Sequence, residues 1–407
     1  MVTPTLGLGA NWRQFTLLVA INAFVGGMVG MERSILPLLA GEEFGIASKT
    51  AAISFVATFG LAKALANLFA GPLSETYTRR RVLVAGWLLA IPVPFVLIWA
   101  PSWGWIVAAN ALLGLNQGLA WSMTVNMKVD LVGPSRRGLA LGLNEAAGYL
   151  SVAAAAFLTG VIADRYGLRP EPFYLGIVFA ACGLGLSVLF VKDTRSYVVL
   201  EAEQHPEQAT TSLGTAFART TWRDARLFGI SQAGFVNNLN DALAWGVFPL
   251  YFASRGLSLQ EVGLLAGVYP LVWGALQTAT GWASDTLGRS PLIVGGMLLQ
   301  AVAISLVGFG ESFGPWLIAV ALLGVGTAMV YPVLLAAVGD SVHPASRATY
   351  LGMYRFWRDA GAIAGALVAG AIADILGFQA AIQVVASLTA ASAVLAAVTL
   401  RTRQDKG

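Results

Sequence analysis

The sequence is poor in charge. Lys, Arg, Asp and Glu make up 11% of 407 residues, against 57% hydrophobic residues and a mean hydropathy of +0.71. A soluble domain carries about a quarter charged residues. The shortage excludes a soluble enzyme, a nucleic-acid binder and a disordered scaffold. Cysteine is almost missing: Cys182 stands alone in an apolar run, so no intramolecular disulfide forms and no cysteine-based metal site is expected. The two histidines, His205 and His343, fall in expected loops and form no ligand cluster. There is no G-x-x-x-x-G-K-[ST] run, which argues against ATP drive. No small-residue cleavage site follows the first apolar run, so it reads as a membrane helix rather than a leader. No cofactor and no nucleic-acid partner are implied.

Long apolar runs are what the chain has instead. They fall at about 13–39, 50–72, 82–100, 104–127, 138–163 and 174–191, then at 227–253, 260–283, 291–309, 315–338, 348–373 and 378–399. A spanning helix needs about 20 apolar residues, so the expected fold is an all-α membrane protein of twelve transmembrane helices. The stretch 192–226 is the longest polar segment. It reads as a linker between a first six-helix half, 1–191, and a second, 227–407. A β-barrel would show short alternating segments instead.

The net charge of +4 and the pI near 9.3 report orientation more than an acidic partner. With the N-terminus cytoplasmic, 17 basic residues fall in cytoplasmic segments, Lys128 among them. Four fall on the other side: Lys49, Arg165, Arg169 and Arg255. Both termini and the linker are therefore expected in the cytoplasm, most simply of a bacterial inner membrane.

An internal repeat is the strongest signal. Shifted by 210 residues, 71–167 aligns with 281–377 without a gap, and 28 of 97 positions are identical. Gly71, Ser74, Thr76 and Arg79 meet Gly281, Ser284, Thr286 and Arg289; Glu75 meets Asp285. Asp130, Pro134 and Arg137 meet Asp340, Pro344 and Arg347, and Asp164 meets Asp374. Polar matches at loops, in one register, are not composition.

Two parallel halves with these loops resemble the major facilitator superfamily, whose loop after the second helix reads G-x-L-x-D-x-x-G-R-[KR]. Here 71–81 matches, with Glu75 in the acidic position and Thr78 in place of the second glycine; 281–289 keeps both Asp285 and Gly288. The resemblance implies alternating access by two six-helix halves. It also implies a cytoplasmic latch formed by Gly71, Glu75, Arg79, Gly281, Asp285 and Arg289. The glycines would permit close packing and a tight turn, and the acids would pair with a loop arginine or cap a helix. Arg79, Arg80 and Arg81 also serve topology. Two subfamily markers are missing: the fifth helix has no proline, and there is no Pro-Glu-Ser-Pro loop.

Eight charges lie within the expected spans: Glu32, Arg33, Lys63, Glu145, Asp241, Arg355, Arg358 and Asp359, four of each sign. Intramembrane charges are costly, and are functional or paired. Lys63 lies about 12 Å and Asp359 about 16 Å from the cytoplasmic side at the helical rise. The family implies that their helices face each other, so they are expected to bridge the halves. Glu145 and Arg355 are mates at the 210 shift with opposite charge, and Arg355 and Asp359 are i,i+4. Asp241, beside Asn237, is a candidate for proton coupling, as is Glu145. Arg33 keeps its proton, so it suits an anion better than a proton relay. Amides and aromatics complete the candidate site: Asn116 and Gln117 in the fourth helix, and Tyr269, Trp273 and Gln277 at i, i+4, i+8 in the eighth. Tyr331 and Trp357 add aromatic surface. Trp99, Trp103, Trp105 and Trp316 are expected in interface belts.

The expected function is secondary transport of a small organic anion or zwitterion, coupled to protons, by a monomer in contact with lipid. The alternatives are proton-coupled efflux of apolar or cationic compounds and, in another class, a membrane sensor that does not transport.

Overall fold

The computed structural model describes residues 5–132, 137–203, 211–342 and 346–400, and these contain helices and no strands. The order is α1 (Leu8–Arg33), α2 (Leu36–Glu42), α3 (Lys49–Ala52), α4 (Ser54–Thr76), α5 (Arg79–Ala90), α6 (Pro92–Trp99), α7 (Trp103–Asn116), α8 (Ser122–Val132), α9 (Arg137–Tyr166) and α10 (Tyr174–Leu189). Then come α11 (Arg195–Glu203), α12 (Leu213–Ala218), α13 (Ala225–Ala242), α14 (Phe248–Ser254), α15 (Leu259–Leu287), α16 (Arg289–Phe309), α17 (Phe313–Ser341), α18 (Arg347–Leu376) and α19 (Phe378–Leu400). Several pairs continue one rod across a short break. Pro37 restarts α2, Pro92 starts α6 and Pro249 starts α14, as expected where a missing N–H costs least. π-turns join α7 to α8 over Gln117–Trp121, and α13 to α14 over Leu243–Val247.

Among the described residues, nine helical stretches are long and apolar enough to cross a membrane. Two further rods, 103–132 and 225–254, are not among them, and Ser54–Ala70 is apolar but shorter. The two rods carry buried amides and charges, including Asn116, Gln117 and Lys128 in one, and Asn237, Asn238, Asn240 and Asp241 in the other. Interior-facing polar groups lower the hydropathy of a rod that lipid does not surround.

The N-terminus, the segment after α10 and the end of α19 share one end of the molecule. Gly7 N–H donates to the Leu131 carbonyl, the Tyr197 hydroxyl to Asn11, and Arg226 to Ser341; Gly229 faces Thr399. At the opposite, far end helices before 192 again meet helices after 226. The Asp374 carboxylate accepts from Lys49 N (2.5 Å), Thr50 N (2.9 Å) and Ser48 Oγ (2.8 Å). Beside it, α9 crosses α15 at Gly160 and Gly263. A Cβ on either would lie within 2.8 Å of the other's Cα, so both positions need glycine while this end is closed.

Several expectations are corrected. Lys128 does not sit in a loop: it is fully buried in α8, and its ammonium donates to the Leu18 carbonyl at 3.2 Å. Trp316 is not in a belt but in the core, its indole N–H donating to the Val307 carbonyl at 3.0 Å against Tyr251 and Phe252. Trp103 is pinned by bonds to the Ala51 carbonyl and Ser54, whereas Trp99 (71%) and Trp105 (55%) are exposed. Belt and core tryptophans look alike in sequence, because only the helix rotation separates them.

Candidate functional site

The central cavity lies between the two sets of helices and is lined by Val29, Arg33, Phe59, Lys63, Gln117, Tyr149, Asp241, Trp245, Arg358 and Asp359 among others. It has an empty volume of about 470 Å³ counting its open mouth. Five of these side chains are charged, three positive and two negative.

Four of the five are tied together. Arg358 donates to Asp241 at 3.2 Å, lies 3.7 Å from Asp359 and stacks over the Tyr331 ring at 4.4 Å. Lys63 meets Asp359 at 3.1 Å, and Asn67 donates to the same carboxylate at 2.7 Å. The structure thus places the second and eleventh rods in contact through Lys63 and Asp359. Asp241 also accepts from the Tyr269 hydroxyl, which sits 3.2 Å from Thr327. Pairing and the added hydrogen bonds from Asn67 and Tyr269 offset part of the cost of burying these charges, although Arg358 Nε has no acceptor.

Arg33 is the fifth. It ends α1, is 1% exposed, and none of its three guanidinium nitrogens has a hydrogen-bond partner. Its neighbours are aromatic faces: Phe59 at 4.6 Å, Trp245 at 5.0 Å and Phe55 at 5.9 Å from the guanidinium carbon. Cation–π contact is worth about 0.5–2 kcal/mol. That offsets only part of the several kcal/mol that burying an unpaired ion costs. Glu32, next in sequence, is fully buried beside Asn110 and within electrostatic reach of Arg33, but it does not line the cavity.

A second polar cluster lies towards the terminal end. Glu145 accepts from Trp121 Nε1 (2.9 Å), Asn144 (3.1 Å) and, across the two sets, the Tyr331 hydroxyl (3.3 Å). It does not pair with Arg355. Among the described residues Arg355 makes no ion pair, with Glu145 or with Asp359, although spacing allowed both. Tyr149 packs on Trp273 with ring centres 3.7 Å apart and lies near Tyr331, giving the cavity an aromatic side. Trp273 and Gln277 are buried with free indole and amide N–H groups, as is Asn237, whose carbonyl accepts from Gln300.

Two candidates face elsewhere. Asn116 turns to the Gly86 carbonyl at 3.0 Å and fastens α7 to α5. Trp357 stacks on Phe217 and donates to Thr221, against the segment after α12. The π-turns were not foreseen. One carries Gln117 and Trp121 and the other Trp245; such turns recur at functional sites. Trp245 itself was missed, since nothing in its spacing marks it.

In the loop motif one expected pair forms, Asp285 with Arg289 of its own loop, and each arginine also reaches an acid at the end of another helix. Arg79 pairs with Asp130 at 2.6 Å, an acid that also accepts from Thr194; Arg289 pairs with Asp340 at 3.0 Å and with Asp285 at 2.6 Å. Each arginine clamps the start of its helix to the end of a helix in its own set. Gly281 has nothing within 4 Å of a Cβ, so it permits no close approach. The turn is made by Gly288, at φ +90°, and by Thr78, at φ +107°. The side chain of Glu75 and the surroundings of Gly71 lie outside the described residues. Behind this turn, burial works to raise the Asp193 carboxyl. The Arg80 and Arg195 amides, the Thr78 hydroxyl and Arg79 outweigh it and hold the group below the usual carboxylate range.

Comparison with known proteins fits this geometry. The family model described as the Major Facilitator Superfamily matches residues 16–232 and 230–407. The chain is similar to the multidrug resistance protein MdtG of Enterobacter lignolyticus, 23% identical over 96% of this chain and 93% of that protein. It is also similar to MdtG of Salmonella choleraesuis, 24% identical over 97% of each. Among solved structures it superposes on a POT family transporter in complex with a thioalcohol-conjugated peptide (TM-score 0.76, 14% identity, 95% of this chain and 96% of that one). It also superposes on the human organic anion transporter MFSD10 (TM-score 0.69, 17% identity, 94% and 99%). At those identities the structures show the fold alone.

Proposed function

Because the chain belongs to the Major Facilitator Superfamily and is a transporter of small molecules, we propose that it exports small organic anions or zwitterions with an apolar or aromatic body, in exchange for protons. Arg33 carries this reading. It is a buried guanidinium with no hydrogen bond and no ion pair within 4 Å, Glu32 and Asp241 acting on it only from a longer distance, and it faces a cavity whose other four charges are tied together. A carboxylate or phosphonate entering the cavity would supply the missing acceptors, and the surrounding rings would hold its apolar part. Outward direction comes from the multidrug resistance relatives.

The sets 1–191 and 227–407 rock against each other, with 192–226 as the connector. The far end, closed by Asp374 and the Gly160–Gly263 crossing, is the extracytoplasmic gate, and both termini lie in the cytoplasm of a bacterial inner membrane. Lys63–Asp359 and Glu145–Tyr331 are cross-set ties that alternate with opening. Protons load at Glu32, Asp241 or Glu145, and the protein works as a monomer. The Arg79–Asp130 and Arg289–Asp340–Asp285 clamps keep each set rigid as it moves, and Glu75 is the remaining candidate for a latch between sets.

The test is substrate-driven proton movement in proteoliposomes with a panel of carboxylates, phosphonates and amino acids. The expected result is a signal from at least one anion that disappears in Arg33→Gln. Survival of every anion's signal in that variant would contradict the reading. Glu32, a fully buried acid, favours a second reading, the efflux of cationic compounds. In that case transport of a cationic dye would be lost in Glu32→Gln and kept in Arg33→Gln.

A further inference from the structure

The end of the molecule away from the termini holds two helix crossings that the 210-residue shift relates. In one, α18 passes over the start of α3, which leads into α4. In the other, α9 passes over the start of α15. Gly370 and its mate Gly160 make the close approaches. A Cβ on Gly370 would lie 2.8 Å from the Thr50 Cα, and one on Gly160 2.7 Å from the Gly263 Cα. Four residues after each glycine stands an acid, Asp374 or Asp164. Each crossed helix is capped by a serine, and these are mates at the same shift. Ser48 accepts from the Ala51 amide at 3.1 Å, and Ser258 from the Glu261 amide at 3.2 Å.

Both caps are completed by a carboxylate, but from different places. At Ser258 it comes from the same helix. Glu261 accepts from the Ser258 amide and hydroxyl, both at 2.9 Å, which closes a capping box. At Ser48 the position of Glu261 is held by Ala51, and the carboxylate comes from the other set of helices. Asp374 accepts from the Ser48 hydroxyl (2.8 Å) and from the amides of Lys49 (2.5 Å) and Thr50 (2.9 Å). This is a cap and not an ion pair, since the Lys49 ammonium lies over the Phe378 ring at 5.7 Å. Asp164, the mate of Asp374, is exposed and makes no hydrogen bond or ion pair among the described residues. The place it would fill is taken by Glu261.

We propose that Asp374 is the catch of the extracytoplasmic gate, a helix cap supplied in trans that forms as the two sets close at this end and is given up as they part. The proposal rests on the reading of this end as a gate that opens. A carboxylate on first-turn amides satisfies donors that the helix leaves open and meets the positive end of its dipole. When the sets separate, α3 loses that carboxylate, and nothing in its own first turn replaces it. Helix α15 loses nothing when it leaves α9, because Glu261 travels with it. One crossing therefore contributes a bond that breaks and reforms, and the other contributes packing alone. A single difference between the repeats, Ala51 against Glu261, creates the catch.

The experiment installs the missing acid. A reporter cysteine replaces Ile53, which is fully buried beneath Gly370, in a Cys182→Ala background. Its labelling by a charged maleimide is timed on the full chain in nanodiscs. Ala51→Glu gives α3 the box that α15 has, and Asp374→Asn removes the catch. Loss of a cap shifts an equilibrium roughly fivefold, so each variant is expected to label about five times faster than the parent. The double variant should label no faster than Asp374→Asn alone, because both changes vacate the same bonds. The melting temperature of Ala51→Glu should stay at or above the parent's, which separates a released catch from a damaged fold. Gly160→Trp, which wedges the other crossing apart, is the control for the gate. Fast labelling in Gly160→Trp with parental rates in Ala51→Glu and Asp374→Asn overturns the catch and leaves the gate standing. Parental rates in all three overturn the gate, and the catch with it. Rates that rise in Asp374→Asn but not in Ala51→Glu, or that multiply in the double variant, overturn the cap in trans.

Discussion

Two arginines are buried in the same cavity, and they are held in opposite ways. Arg358, 4% exposed, has Asp241 at 3.2 Å, Asp359 at 3.7 Å and the Tyr331 ring beneath it. Arg33, 1% exposed, has no hydrogen bond and three aromatic faces around it. A guanidinium already paired with two carboxylates, as Arg358 is although its Nε has no acceptor, gains less from a ligand and is part of the framework. One that is desolvated and unbonded stores an unmet demand that a ligand can satisfy. Burial alone does not separate the two roles; the count of acceptors does.

Substitutions can break this contrast or sharpen it. The largest effect is expected on transport from Arg33→Gln, a loss of a hundredfold or more in substrate-driven proton movement. Its thermal stability should be equal to or above that of wild type, because a desolvated charge is removed without breaking a hydrogen bond or a close ion pair. Arg358→Gln should do the reverse to stability. It strands Asp241 and part of Asp359, which for a broken buried pair costs about 3–5 kcal/mol, read as a lowered unfolding midpoint. Adding Asp241→Asn to that variant should restore part of the loss. Lys63→Met is expected to cost less, about 1–2 kcal/mol, since Lys63 is 17% exposed and Asp359 keeps Asn67 and Arg358. The smallest effect falls outside the cavity. Thr78→Gly relieves a residue held at φ +107° and should stabilise by about 1 kcal/mol, whereas Gly288→Thr should destabilise by a similar amount. If Arg33→Gln and Arg358→Gln lowered stability alike, the contrast between the two arginines would fail.

Much of this was legible in the sequence, and what was not has a common cause. Apolar runs give the rods, and the 210-residue repeat gives the paired loops around Arg79 and Arg289. Depth along a helix is countable, which is why Lys63 and Asp359 were brought to the same level before any contact was visible. Rotation about the helix axis is not countable in the same way. Glu145 and Arg355 share a register yet do not pair, Asn116 points to Gly86, and Trp357 packs on Phe217. Lys128 was placed in a loop because a single lysine near the end of an apolar run normally marks the membrane edge. Here it is buried in α8. The π-turns and Trp245 left no pattern, since an inserted residue shifts the helical phase without changing composition.

The measurement that bears most directly on the account is the affinity of one aryl carboxylate, 1-naphthoate, for wild type, Arg33→Lys and Arg33→Gln in nanodiscs, read by quenching of tryptophan fluorescence. The account predicts a saturable site that weakens in Arg33→Lys, which keeps the charge and loses the planar fork, and is lost in Arg33→Gln. An affinity unchanged across the three proteins would contradict it.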